Sequence, residues 1–209
     1  MAAGNFRHLF TPLKVGNVTV KNRIFSTGHD TSMPTDGRVN DRLVAYHKAR
    51  AEGGCGLIVM QVAGVHESAR YTTHILMATS DDCIPGYRRV VEVCRANDTR
   101  LFGQLFHPGR EIMESSDGSA PVAGAPSAVP NERFHVMPRP LTKRMIGEIV
   151  RGYGEAAARL RQAGLDGVEI VASHCYLPSQ FLNPRINRRE DEYGGSLENR
   201  LRFLRETIA

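Results

Sequence analysis

DGVEIVASHCYLPSQFLNPRINRREDEYGGSLENRLRF, residues 166–203, runs from a strand pattern through a polar loop into a capped helix. Val168 to Ala172 reads as a fully buried strand, being short, rich in β-branched residues and preceded by Gly167. Ser173, His174, Cys175 and Tyr176 follow at once, and Pro178 stops the pattern. A polar loop crowded with Asn, Arg and Asp leads to the turn Gly194-Gly195 and to Ser196, a helix N-cap. His174 and Tyr176, two side chains able to handle protons, therefore stand where a strand hands over to its loop. In βα architectures that edge carries the chemistry.

The same grammar recurs upstream. Residues 8–23 read as a β-hairpin, LKV and VTVKN about the turn Gly16-Asn17. Ile24 to Thr27 is a first inner strand, and Asp41 to Glu52 has helical spacing at Leu43, Val44, His47 and Ala51. Gly56 to Ala63 is a second strand, Pro85 to Asn97 a helix, Arg100 to Phe106 a third strand, and Thr142 to Gln162 a helix closed by Gly164. Apolar strands alternating with helices predict an α/β protein with a parallel sheet. Periodicity alone leaves a doubly wound sheet and a barrel both open. One segment breaks the beat. Residues 107–141, about 35 residues rich in Pro, Gly, Ser and Ala, far exceed the usual 2–6 of such a connection and read as a lid-like loop or a plain excursion.

Composition narrows the class. With 209 residues and 41% apolar content, the chain supports one sizeable core. The formal charge is +5, but basic residues are scattered, and Arg185, Arg188 and Arg189 are followed at once by Glu190, Asp191 and Glu192. No basic stripe interleaved with aromatics marks a nucleic-acid surface. Cys55, Cys83, Cys94 and Cys175 lack C-x-x-C spacing, which favours a reducing compartment and argues against a metal or iron–sulfur site within these residues. No apolar run approaches a membrane span, and the first residues lack the apolar centre of a signal peptide, so a cytoplasmic protein is expected.

HCYLPSQFLNPRINRREDEYGGSLENRLRF, together with KNRIFSTGHD, GLIVMQVAGV and FGQLFHPGR, resembles the flavin-binding (β/α)8 barrel of the Old Yellow Enzyme family across nearly the whole chain. YLPSQFLNP is most similar to the amine-oxidising branch, the trimethylamine dehydrogenase and N-methylproline or stachydrine demethylase type. The resemblance implies the N-terminal part of a (β/α)8 barrel, with hairpin 8–23 and four βα units over residues 24–209. A complete barrel takes about 250 residues, so the chain is expected to end inside a helix. FMN is the implied cofactor, met by Ser26, Thr27, Gly28 and His29 after the first strand, by Val62 and Ala63 after the second, and by the amide of Gln104 in the third. A 4Fe–4S cluster and a second nucleotide cofactor would lie beyond Ala209.

His174 and Tyr176 are the implied catalytic pair; read without the resemblance, they could as well be a loop-bound His and a Tyr packing the barrel mouth. Asp30, His107 and Arg110 are placed on the substrate side, the last two either touching substrate or, the reading favoured here, anchoring the long loop. Arg185, Asn187, Arg188, Asp191 and Glu198–Arg200 are expected to fix the loop after the fourth strand. Relatives that reduce enones commonly pair two His residues; here the partner position is Val171, which donates no hydrogen bond and argues against that chemistry. Asp30 also stands where trimethylamine dehydrogenase carries its flavin-tethering Cys. The expected activity is oxidative demethylation of an N-methylated amine by hydride transfer to flavin N5. The alternatives are an ene reductase of the 2,4-dienoyl-CoA reductase type and a non-catalytic half-barrel binding module. Partners would be a small-molecule substrate and a second copy or an electron-transfer protein, with no nucleic acid and no membrane.

Overall fold

The computed structural model describes residues 6–113 and 122–209. The chain opens with a hairpin, β1 (Leu13–Val15) and β2 (Val18–Val20), joined through Gly16 at φ +58°. Then come β3 (Phe25–Ser26), α1 (Asp41–Glu52), β4 (Leu57–Gly64) and the short β5 (Leu76–Met77), followed by α2 (Ile84–Arg95) and β6 (Arg100–Phe106). The long connection holds two further short strands, β7 (Gly124–Ala125) and β8 (Arg139–Pro140). The described chain closes with α3 (Lys143–Ala163), β9 (Gly167–Ile170), α4 (Leu177–Leu182) and α5 (Leu197–Ile208).

The main sheet is ordered β3-β4-β6-β9, all parallel, with β5 added beside the end of β4. Each inner strand pairs with the next one in sequence. A doubly wound sheet needs a reversal of strand order; none occurs here, so the barrel-like progression holds. The register aligns Val62 with Gln104 and Gln104 with Glu169, so these three share a row across the strands.

Helix α3 shows why these segments fold as they do. Ile146, Ile149, Tyr153 and Leu160 recur at helical spacing and are at most 1% exposed. Thr142 Oγ1 accepts from the Met145 N–H at 3.2 Å to cap the start, and Gly164 at φ +100° closes the end. The helix lies hard against the sheet. A Cβ on Gly103 of β6 would sit 2.3 Å from Leu160 Cδ1, and one on Gly152 would sit 2.4 Å from the Val65 carbonyl oxygen. The core joins α1, α2, α3 and α5 to the strands through Leu43, Tyr87, Leu101, Tyr153 and Phe203.

Two expectations are corrected. β9 is not fully buried: Val168 is 36% exposed and Glu169 is open to solvent. The strand pairs with β6 on one side only, so its outer flank lacks a cover that a short β-branched run cannot report. Pro178 does not stop a pattern; it occupies the first turn of α4, where a missing N–H costs nothing. The expected lid-like loop at 107–141 lies partly outside the described residues, at 114–121.

Candidate active site

Parallel strands deliver their C-terminal ends to one rim. After β3, Gly28 runs so close to β6 that an added Cβ would lie 2.7 Å from Gln104 Nε2 and 2.8 Å from the Met60 carbonyl oxygen. Gln104 Nε2 donates to Glu169 Oε1 at 2.5 Å, while its amide oxygen accepts from no donor among the described residues. Val62 and Ala63 stand beside it on β4. An open acceptor, a neighbouring backbone free of side chains and an acidic partner suit the alternating donors and acceptors of a flavin's pyrimidine edge. The residues present fit the ring. His29 turns elsewhere: its Nδ1–H donates to the Thr27 carbonyl at 3.3 Å, and its Nε2 accepts from the Tyr46 hydroxyl on α1. Ser26 ends β3 and Thr27 follows it toward the same rim.

Asp30 is the chemically distinctive group. The Tyr71 hydroxyl donates to Asp30 Oδ2, and Gln61 Nε2 lies 3.4 Å from Oδ1. Gln61 is itself held by the Thr31 hydroxyl at 2.5 Å. One edge of Asp30 stays open, yet the surrounding protein raises its carboxyl to about 6; desolvation is the larger cause, and His29 opposes it. Tyr71, Phe106 and Tyr176 meet edge-on, with centroids 5.3 Å apart for Tyr71–Phe106 and 5.1 Å for Phe106–Tyr176. Tyr176 is pushed up to about 12, by burial first and then by Asp30 and Glu111, so its phenol is protonated at neutral pH. Its hydroxyl has no hydrogen-bond partner among the described residues.

His174 and Cys175 both take left-handed backbone, φ +56° and +57°. Non-glycine residues there cost on the order of 1–3 kcal/mol each, and both residues are exposed just past the strand end. His174 Nδ1 meets Ser173 Oγ at 2.7 Å, and its ring lies 5.9 Å from that of Tyr176. Both line a hollow of about 940 Å³ with Tyr71, between residues 129–134 and the segment after β9. Gln104, Gly28 and Asp30 are not in the wall of that hollow; Asp30 is joined to it through the Tyr71 hydroxyl.

His107 is enclosed. It is 0% exposed; Nδ1 accepts from the Gly109 N–H at 3.0 Å and Nε2 meets Ser68 Oγ at 2.9 Å. Burial, then His66, drives the imidazole down to about 3, so it stays neutral. It holds the turn and does not reach the hollow. Arg110 does line the hollow, but its Nη1 donates to the Val129 and Pro130 carbonyls at 3.1 and 2.6 Å. Gln180 ties the same turn to the fourth strand, donating to the Pro108 and Cys175 carbonyls and accepting from the Arg110 N–H.

The loop after β9 divides its polar residues differently from the expectation. Asn187 is buried and donates to the Phe181 and Tyr193 carbonyls, both at 2.7 Å. Arg189 pairs with Asp191, and Arg200 donates to the Leu182 carbonyl. Among the described residues the side chains of Arg185 and Arg188 make no hydrogen bond or ion pair; their backbone N–H groups donate to Asn183 Oδ1 and Ser127 Oγ. Tyr71, Gln61 and Glu169 escaped the sequence reading. The signal for Gln61 and Glu169 was a polar residue inside an otherwise apolar strand.

A family model for NADH:flavin oxidoreductase / NADH oxidase matches residues 8–209, and the chain belongs to that family. It is 39% identical to the NADPH dehydrogenase of Bacillus velezensis over 97% of this chain and 59% of that protein. It is 31% identical to the N,N-dimethylglycine/sarcosine dehydrogenase of Chromohalobacter salexigens over 97% of this chain and 30% of that protein. A solved complex of 2-naphthoyl-CoA reductase superposes with a TM-score of 0.88 at 31% identity, covering 97% of this chain and 33% of that one. The chain thus spans well under two thirds of the length of these relatives.

Proposed function

We propose that the full-length protein is an FMN-dependent oxidoreductase that oxidises an N-methylated amine. The observation that carries this is Asp30: a carboxylate lifted to about 6 on the rim beside Gly28, close to Tyr71 and Gln61. Ionised, it is a counter-ion for an incoming ammonium. With its raised pKa it is also a better acceptor for the proton that must leave nitrogen before the lone pair can expel hydride. Val171, in place of a second donor near His174, offers nothing to a carbonyl oxygen. Gln104 and the main chain of Gly28, Val62 and Ala63 would hold the flavin ring. Bound flavin supplies a two-electron acceptor. Hydride leaves the carbon next to nitrogen, and water adds to the resulting iminium to give the demethylated amine, formaldehyde and a proton. The dimethylglycine/sarcosine dehydrogenase among the relatives supports this reading.

A second reading rests on Tyr176. A protonated, unpartnered phenol on the rim suits proton delivery to carbon during reduction of a conjugated double bond by a nicotinamide-reduced flavin. Anaerobic mixing of the flavin-loaded, full-length protein with N-methylated amines separates the two. The amine reading expects the visible flavin band to bleach, and Asp30→Asn to slow bleaching by about 10²–10⁴-fold. Bleaching by NAD(P)H alone, with recovery on adding an enone or dienoyl thioester, would sink the amine reading in favour of the second.

A further inference from the structure

Three arginines in the rim hollow have no task in the chemistry above. Tyr71 and Tyr176 line it together with Arg133, Arg185 and Arg188. All three are exposed, and none makes an ion pair or side-chain hydrogen bond among the described residues. Arg133 lies 4.8 Å over the ring of Phe134, also in the wall. Two carboxylates face the same space. Glu111 is answered by Arg110, 3.8 Å away, which leaves Glu132 against three cations.

The local fold does not account for them. Arg189, in the same loop, pairs with Asp191 and donates to the Pro126 and Leu141 carbonyls. Asn187 and Arg200 bind the loop to α4 and α5. The loop is therefore built without the side chains of Arg185 and Arg188. Holding three unanswered guanidinium groups around one concavity is electrostatically unfavourable until an anion enters it. The planar fork of arginine suits carboxylate and phosphate geometry.

We propose that these three arginines form an anion subsite, taking a carboxylate or phosphate of the molecule that exchanges electrons with the flavin. The proposal rests on the reading above in taking this hollow as the mouth of the reaction site. Two sources share the chemistry. One is the carboxylate of an N-methylated amino acid, whose ammonium would meet Asp30; the other is the phosphates of a nicotinamide nucleotide.

The test uses the flavin-loaded, full-length protein and three probes, each read by perturbation of the flavin absorbance at fixed ionic strength. Trimethylglycine carries the zwitterion on a quaternary nitrogen without a lone pair, so it cannot follow the hydride route. Choline carries the same cation without the carboxylate, and ADP-ribose carries the phosphates. Arg185→Gln combined with Arg188→Gln is expected to weaken trimethylglycine or ADP-ribose by about tenfold or more and to leave choline unchanged. The responding anion identifies the source. Arg133→Gln, in a different segment of the chain from Arg185 and Arg188, should act in the same direction and guards against a local folding defect. Equal affinity of parent and variants for both anions, or no binding of either anion by the parent, overturns the subsite. A protein that binds the anions while N-methylated tertiary amines leave its flavin oxidised loses the amine reading and keeps the subsite.

Discussion

Asp30 concentrates the chemistry of the rim in one carboxyl group. Its pKa is raised to about 6, from 3.8, because burial disfavours the charge more than His29 favours it. The fold favours the protonated form, so the stability Asp30 contributes is present below its ordinary value and lost as pH climbs through about 6. Binding of a cationic amine runs the opposite way, since only the ionised group attracts it. In the full-length protein, KM for an N-methylated amine is expected to fall between pH 5 and 7 with an inflection near 6, and Asp30→Asn should abolish that inflection. An unchanged profile in the variant would assign the titration to another group. Asp30 was visible in the sequence as a departure from a related loop. Its partners were not, because Tyr71 is 41 residues away and Gln61 is 31, and their side chains meet only once β4 lies beside the loop after β3.

Element boundaries came through where local chemistry sets them. α1 was read from periodicity at Asp41–Glu52 and β6 at Arg100–Phe106, and both spans hold. α3 is framed by a Thr cap and a left-handed Gly, signals that act within a few residues. α4 was missed because a proline was read as a stop, although a first-turn position makes it a start. Gly152 shows the limit of propensity. A mid-helix glycine weakens a helix, yet here it lets α3 pass the Val65 carbonyl, 2.4 Å from where a Cβ would stand. Gly152→Ala should therefore destabilise by about 1–3 kcal/mol despite its better helix propensity. Thermal unfolding of the variant reads this out, and a raised Tm would show that the helix can shift at no cost.

At the scale of the molecule, the parallel order β3-β4-β6-β9 leaves a strand with one neighbour at each end. Exposed apolar side chains mark both: Phe25 at 56% and Val168 at 36%. Unpaired edges with apolar residues invite strand addition. The 209-residue polypeptide is expected to self-associate as concentration rises, and Phe25→Lys with Val168→Lys to shift it toward monomer in light scattering. Equal association of parent and variant would place the contact elsewhere. Among the described residues, no helix is long and apolar enough to cross a membrane.

From the amino-acid order alone came the alternation of strand and helix, the caps, the hairpin and the placing of His174 and Tyr176 past a strand end and of Gln104 inside a strand, because periodicity and turn chemistry act over a few residues. The tertiary structure decided that β9 is half-open, that His107 is sealed against Ser68 and Gly109, and that Asp30 meets Tyr71. It also left Arg133, Arg185 and Arg188 around one hollow. Burial and charge partnership depend on which distant segments arrive beside a residue, and a linear pattern does not encode that arrival.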